Sequence, residues 1–204
     1  MPGALAVFNR RMAGRLARKG HPLRAHLVGV ARLAARLAGP AGCDPCAARA
    51  AGYLHDWTRP FSAPRLARAL RKYRVRLDRR SRGIPELWHG PLAAAIAWRD
   101  FGLKDRTILR AVRIHTIGRA AATPLEMCLI VADFCEPGRR FREARVARRL
   151  AGRSLRLAAN YVAASRIAYL REAGIMPHPA AVAFMSGLAA SPTPAKLAPG
   201  GTSA

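Results

Sequence analysis

Three features of the sequence predict an all-α fold, a helical bundle. Hydrophobic residues are 51% of the 204 positions and aromatic residues only 6%, with Ala and Leu prominent. Such side chains favour helices, whereas strands draw on β-branched and aromatic ones. Apolar residues recur at helical spacing in successive stretches, each closed by Gly, Pro or a capping residue. There is no convincing strand pair, no internal repeat and no Gly-rich phosphate loop; "RKYRVRLD" alternates and reads as a candidate short strand, but without a partner.

The elements follow in order. "MPGALAVFNRRMAGRLARKG" reads as an amphipathic helix with Leu5, Phe8, Met12 and Leu16 near one face. "LRAHLVGVARLAARLAGP" is periodic and stops at Gly39-Pro40. Asp44-Pro45 has the form of an N-cap with Pro at the first helical position, and that helix carries Ala47, Ala51 and Leu54 on one face before ending near His55-Asp56. "APRLARALRKYRVRLDRRSRG" predicts a strongly basic helix running into a loop, and "PELWHGPLAAAIAWRDFG" a helical stretch broken at Gly90-Pro91. "KDRTILRAVRIHTIG" begins at an Asp105 cap and ends at Gly118. Thr123, Pro124 and Glu126 form a capping box with Pro inside it. Helix is then expected from about Phe141 to Glu172, and a last short helix over "PAAVAFMSGLAA". The length suits one domain with a buried core, expected over 1–188. Residues 189–204 are expected to form a disordered tail, on the Pro/Ser/Gly-rich composition of "SPTPAKLAPGGTSA".

Bulk chemistry narrows the function classes. Thirty-six basic residues against 11 acidic ones give a net charge of +25. Such a field attracts polyanions, whether nucleotide, nucleic acid or anionic membrane, although an Arg- and Ala-rich composition also follows from a coding sequence rich in G and C. No apolar run approaches the ~18 residues of a membrane span, and the N-terminus lacks the pattern of a cleaved leader. The four Cys do not form a secreted disulfide scaffold, so a reducing cytoplasm is expected. "CDPC" at 43–46 has redox or zinc spacing, but Asp44-Pro45 marks a helix start and no second CxxC exists.

The histidines are the informative residues. His26 shares a helical face with Val30, Leu33 and Leu37, His115 with Ile108, Ala111 and Val112, and His55 with Ala47, Ala51 and Leu54. His89 stands just before the Gly90-Pro91 break, and Asp133 sits one step from the apolar face of Leu125, Leu129 and Ala132. Several imidazoles and two carboxylates, Asp56 and Asp133, are thus presented to one interior in a chain with few acids. One buried His is ordinarily a hydrogen-bonded core residue. A buried carboxylate needs a partner, either Arg or a metal, and imidazoles with carboxylates suit Fe, Mn, Co or Zn.

The order of these residues resembles that of the HD-domain metal-dependent phosphohydrolases: a His, then His-Asp, then a distant Asp, here His26, His55-Asp56 and Asp133. His89 and His115 between them resemble the extra pair of the dinuclear branch. The words "HLVGVARLAARLA", "AGYLHD", "PELWHGPLAA", "AVRIHTIG" and "VADFCEPGRRF" resemble the YqeK-like symmetrical diadenosine tetraphosphatases, as does "REAGIMPHPAAVAFMSGL", over about residues 5–188. The resemblance implies an HD-domain helical bundle with a metal site in its core. It implies one metal held by His26, His55, Asp56 and Asp133, and a second reached by bridging Asp56 and completed by His89 and His115. Two divalent or trivalent ions are expected, with iron implied by the family and Mn or Co compatible with the donors. A metal-bridging hydroxide would split diadenosine tetraphosphate into two ADP.

Departures from the family pattern lie at substrate positions. Arg59 stands where the family usually has Lys, Leu23 where it tends to have Arg, and Phe134 where Lys usually follows "VAD". Arg59, forking onto two phosphate oxygens, and Arg139 of "EPGRRF" are the expected phosphate contacts. Thr116 is a further phosphate donor or a helix-end cap. Trp57 and Trp88 are candidates for adenine stacking or for core packing, and His178 in "PHPA" is read as structural. Two rival readings remain at this stage. One is the same centre acting on another nucleotide phosphate ester; the other is a basic RNA- or ribosome-associated protein with a vestigial site.

Overall fold

Three helices begin where the sequence places strong caps. In the computed structural model, which describes residues 2–18 and 20–190, Asp44 accepts a hydrogen bond from Cys46 N at 2.7 Å, and Asp105 accepts from Thr107 N and Ile108 N at 2.8 and 3.1 Å. Thr123 and Glu126 close the expected capping box. Ten α-helices result among the described residues: α1 (Pro2–Arg18), α2 (Arg24–Ala38), α3 (Pro45–Leu54), α4 (Ala63–Lys72), α5 (His89–Arg99), α6 (Arg106–Ile114), α7 (Pro124–Cys135), α8 (Arg142–Ala151), α9 (Leu155–Glu172) and α10 (Pro179–Ala190). No strand occurs among those residues. The expected all-α bundle is therefore the fold, with α7 at its centre. Residues 125–133 of α7 are buried, and α2, α3, α6, α8 and α9 pack around them.

Three local expectations are corrected. "RKYRVRLD" makes no strand: α4 continues to Lys72, and residues 75–78 are irregular. Its alternation follows from exposed Arg on either side of apolar Val75 and Leu77, which lean on the small α4–α5 cluster of Leu66, Leu70, Leu92 and Ile96. Gly90-Pro91 does not break a helix but lies in the first turn of α5, after a 3-10 turn at Pro85–Leu87. A proline is tolerated there because its missing N–H would have no intrahelical partner. The span 141–172 is two helices. The chain turns at residues 152–154, where Ser154 N-caps α9 by accepting from Leu157 N at 3.4 Å.

The closest helix crossing is between α2 and α3. A Cβ on Gly52 would stand 2.4 Å from Ala31 Cα, so the backbones touch there. Gly52→Ala must push the helices apart and is expected to cost about 3 kcal/mol, lowering Tm by roughly 6–12 °C in a thermal melt. A melt within 2 °C of the parent chain would contradict this packing.

All four thiols are free, and Cys43 Sγ lies 4.0 Å from Cys128 Sγ rather than completing a CxxC centre with Cys46. His178 is structural, as read: its Nε2 lies 3.3 Å from Asp78 Oδ1, and its Nδ1 accepts from Ala180 N at the start of α10. The last helix runs through Ala190, two residues beyond the expected end of the domain at 188. The remainder of the expected tail, 191–204, lies outside the described residues.

Candidate metal centre

The six expected metal-site residues converge at helix ends. His26 is in the first turn of α2, His89 opens α5, Asp133 is in the last turn of α7, and His55 and His115 immediately follow α3 and α6. His55 and His115 use the same local device. Each folds back on its helix so that its Nδ1 bonds the carbonyl three residues earlier, Gly52 O at 2.9 Å and Val112 O at 2.8 Å. That bond requires Nδ1 to carry the proton and leaves Nε2 as a lone pair facing inward. His26 is set likewise, with Nδ1 3.4 Å from Glu136 Oε1. The C-terminal ends of α3, α6 and α7 meet the N-terminal ends of α2 and α5 here, so the side chains rather than the helix dipoles set the preference for a cation.

The inward nitrogens face each other in pairs. His26 Nε2 is 3.2 Å from His55 Nε2, and His89 Nε2 is 3.2 Å from His115 Nε2. Asp56 lies between the pairs. Its Oδ2 is 3.9 and 3.8 Å from His26 and His55, and its Oδ1 is 3.0 and 3.5 Å from His89 and His115. Asp133 Oδ1 adds to the first pair, 3.3 Å from His26 and 3.5 Å from His55. Asp56 Oδ1 is buried with no well-directed donor. At His26–His55 two lone pairs face each other, and this, like a buried carboxylate oxygen without an N–H, is unfavourable unless a cation lies among them. The donor set therefore fits a divalent metal, and three overlapping groups within the cluster bring their ligand atoms within 4.8 Å of one another.

The electrostatics keep the carboxylates charged. Burial opposes ionisation of Asp56, but the imidazoles of His55, His115 and His89 outweigh it and hold its carboxyl far below the usual range. Burial likewise opposes the charge on Asp133, while His26, His55 and Arg166 lower its pKa well below the ordinary value. His55 and His115 diverge. Burial lowers both, but His55 faces Asp56 and Asp133 and ends above its ordinary value, whereas burial prevails at His115.

A cleft of about 560 Å³ opens over the cluster, lined by Arg59, Thr116, Arg139 and Arg166 as well as by His26, His115, Asp56 and Asp133. Arg59, Thr116 and Arg139 thus border the cleft where phosphate contacts were expected. The guanidinium of Arg59 is exposed and has no acceptor among the described residues. Arg139 reaches Asp133, with Nη2 3.5 Å from Oδ1. The tryptophans do not line this cleft. Trp57 packs edge-on to Phe101 at 5.3 Å, and Trp88 Nε1 donates to Ser81 O at 2.8 Å. Phe134 packs edge-on to Phe141 at 5.2 Å.

Three supporting residues escape a reading of the sequence. Glu136 orients His26 and accepts from Gly138 N at 2.6 Å; its signal was its rarity, an acid three positions after Asp133 in an acid-poor chain. Thr58 Oγ1 donates to His89 O at 2.9 Å and ties the segment after Asp56 to the start of α5. Arg166 on α9 donates to Asp133 Oδ2 at 2.7 Å and to His115 O at 3.2 Å, and so turns Asp133 Oδ1 toward His26 and His55, with Arg139 beside it. Among 36 basic residues, nothing local distinguishes Arg166. Arg166→Ala releases one oxygen of Asp133 and is expected to weaken metal retention roughly 10- to 100-fold, read by competition with a chelator. Unchanged retention would make the ion pair incidental.

The HD domain family profile matches residues 23–138, which hold all six residues of the cluster. The chain belongs to the HD domain family. It is an HD-domain hydrolase, and the metal-cluster geometry accords with a family whose members bind divalent metals. The chain is 35% identical over 134 residues to the symmetrical bis(5'-nucleosyl)-tetraphosphatase of Staphylococcus aureus, covering 65% of this chain and 69% of that protein. It is 38% identical over 128 residues to the same enzyme of Bacillus subtilis, covering 62% and 67%. Among solved structures, a protein from Clostridium acetobutylicum described as a predicted HD superfamily hydrolase involved in NAD metabolism superposes with a TM-score of 0.78 at 26% identity. The alignment covers 90% of this chain and 96% of that one.

Proposed function

We propose that this HD domain hydrolyses diadenosine tetraphosphate, or a close dinucleoside tetraphosphate, symmetrically to two nucleoside diphosphates. The observation that carries the reading is the division of Asp56: one carboxylate oxygen toward the His26–His55 pair, the other toward His89–His115. A bridging carboxylate of this kind suits two metal ions. His26, His55, Asp56 and Asp133 would hold one ion, and Asp56, His89 and His115 the other, with iron the ion implied by family resemblance and Mn or Co accepted by the same donors. When bound, such a pair supplies a water acidified to near-neutral pKa and a clamp for phosphate oxygens.

The chain's own residues supply the rest. His55 and His115 keep Nδ1 protonated through Gly52 O and Val112 O, so their Nε2 lone pairs stay directed inward without reorganisation. Arg166 fixes Asp133, and Glu136 fixes His26. Arg59, free and exposed at the cleft, is the cation for the anionic chain of the substrate, and its planar fork matches two phosphate oxygens. Arg139 and Thr116 border the same space. The reading draws on the relatives' activity and on a cleft whose walls carry three arginines.

Product analysis tests it. After incubation with metal-loaded protein, ion-exchange chromatography is expected to show ADP as the sole nucleotide product. In isotopically labelled water, one of the two ADP molecules gains a single solvent oxygen. Equimolar ATP and AMP would mean asymmetric attack and would remove the substrate assignment. Phosphate released from a mononucleotide, with the dinucleotide untouched, would favour another phosphate ester at the same centre.

A further inference from the structure

The cleft over the metal cluster continues into a second hollow of opposite character. Thr116 and Arg166 line both. Beyond them the walls are apolar: Ile130 from α7, Val162, Ala163 and Ile167 from α9, and Phe184 from α10. The hollow has a volume of about 330 Å³, within the ~300–1,000 Å³ usual for small-molecule sites. Its rim leaves large apolar side chains in solvent, with Tyr169 70%, Ile175 53% and Met176 72% exposed. An apolar hollow with an apolar rim is out of place on a chain of charge +25 unless something covers it. A phosphate chain finds little to bind in it, because of the three arginines of the metal cleft only Arg166, at the junction, borders it.

We propose that this hollow is a nucleobase subsite, seating one purine nucleoside whose phosphates leave past Thr116 and Arg166 toward the metal cluster. The inference rests on the reading of the substrate as a dinucleoside polyphosphate. A purine presents two apolar faces and a polar edge, and the hollow offers the complement. Ala163 and Ile167 supply apolar wall, the exposed Tyr169 ring lies on the lining and can stack on a base, and Glu86 lines the same space. The Glu86 carboxylate is exposed and has no donor among the described residues, so it is available to accept from an exocyclic amino group. His178 also lines the hollow, but its ring is engaged by Asp78 and by Ala180 N. Continuity with the metal cleft argues for a part of the substrate rather than a separate ligand.

Calorimetric titration of the metal-loaded full chain tests the subsite with ADP and inorganic diphosphate as probes. ADP is expected to bind at least tenfold tighter than diphosphate. Ala163→Phe, which fills the hollow, should bring ADP to the affinity of diphosphate. Because Ala163 is buried and the substitution threatens folding, the double substitution Tyr169→Ala with Met176→Ala, at exposed positions, provides a second arm and should weaken ADP at least fivefold. Equal affinity for ADP and diphosphate in the parent chain, or ADP binding unchanged in the folded variants, overturns the subsite. A dimer that dissociates in the Tyr169/Met176 variant would assign the rim to a second copy of the chain and overturns it too. ADP binding is read without turnover. Failure of dinucleotide hydrolysis therefore counts against the substrate reading alone, and hydrolysis without base-dependent binding counts against the subsite alone.

Discussion

Asp56→Ala is expected to empty the metal centre and abolish hydrolysis, with kcat/KM falling by at least about 1,000-fold. The reason is geometric. Among the described residues, Asp56 is the only carboxylate within 4.0 Å of all four inward-facing imidazoles, so its removal leaves both His pairs without their shared anion. His115→Ala removes a donor from one pair only, and the His26–His55 side keeps Asp56 and Asp133. That variant is expected to retain one ion per chain where Asp56→Ala retains none. Metal analysis of the two purified variants checks the difference, and an Asp56→Ala protein with full metal content and activity would refute the assignment of the cluster.

The second large effect is expected at Arg59. Arg59→Ala should leave metal content near normal while costing about 2–4 kcal/mol of transition-state stabilisation, roughly 30- to 1,000-fold in kcat/KM. The side chain borders the cleft and has no hydrogen-bond or ion-pair partner among the described residues, so it is poised for substrate rather than for structure. Arg59→Lys should recover much of the loss, since a single cation at that place is what the family usually carries. Steady-state kinetics on the metal-loaded variants reads this, and an unchanged rate in Arg59→Ala would move the phosphate contact to Arg139.

Much of this was legible in the sequence for identifiable reasons. The caps at Asp44, Asp105 and Thr123 act locally, each bonding within three residues, so pattern and structure agree there. The cluster was legible because acids are scarce: an Asp beside a His at a helix end stands out when only 11 carboxylate residues occur in 204. What failed was of two kinds. The break between α8 and α9 falls among residues of good helix propensity, and the Gly152–Ser154 turn is a weak signal inside a strong one. The supporting bonds of the site are long-range. Arg166 meets Asp133 across 33 residues, and Glu136 meets His26 across 110, so only the packing of α7 between α2 and α9 brings them together. The apolar hollow was invisible for the same reason, being assembled from α7, α9 and α10 and the segments before α5 and α10.

The central claim is that this HD domain works through two metal ions joined by Asp56. Its most direct test is to measure metal per chain while a chelator is titrated against the hydrolytically active protein. Two ions per chain are expected, with activity lost as the first of them leaves and restored when metal is returned. Hydrolysis that continues at full rate in protein stripped of metal would contradict the account.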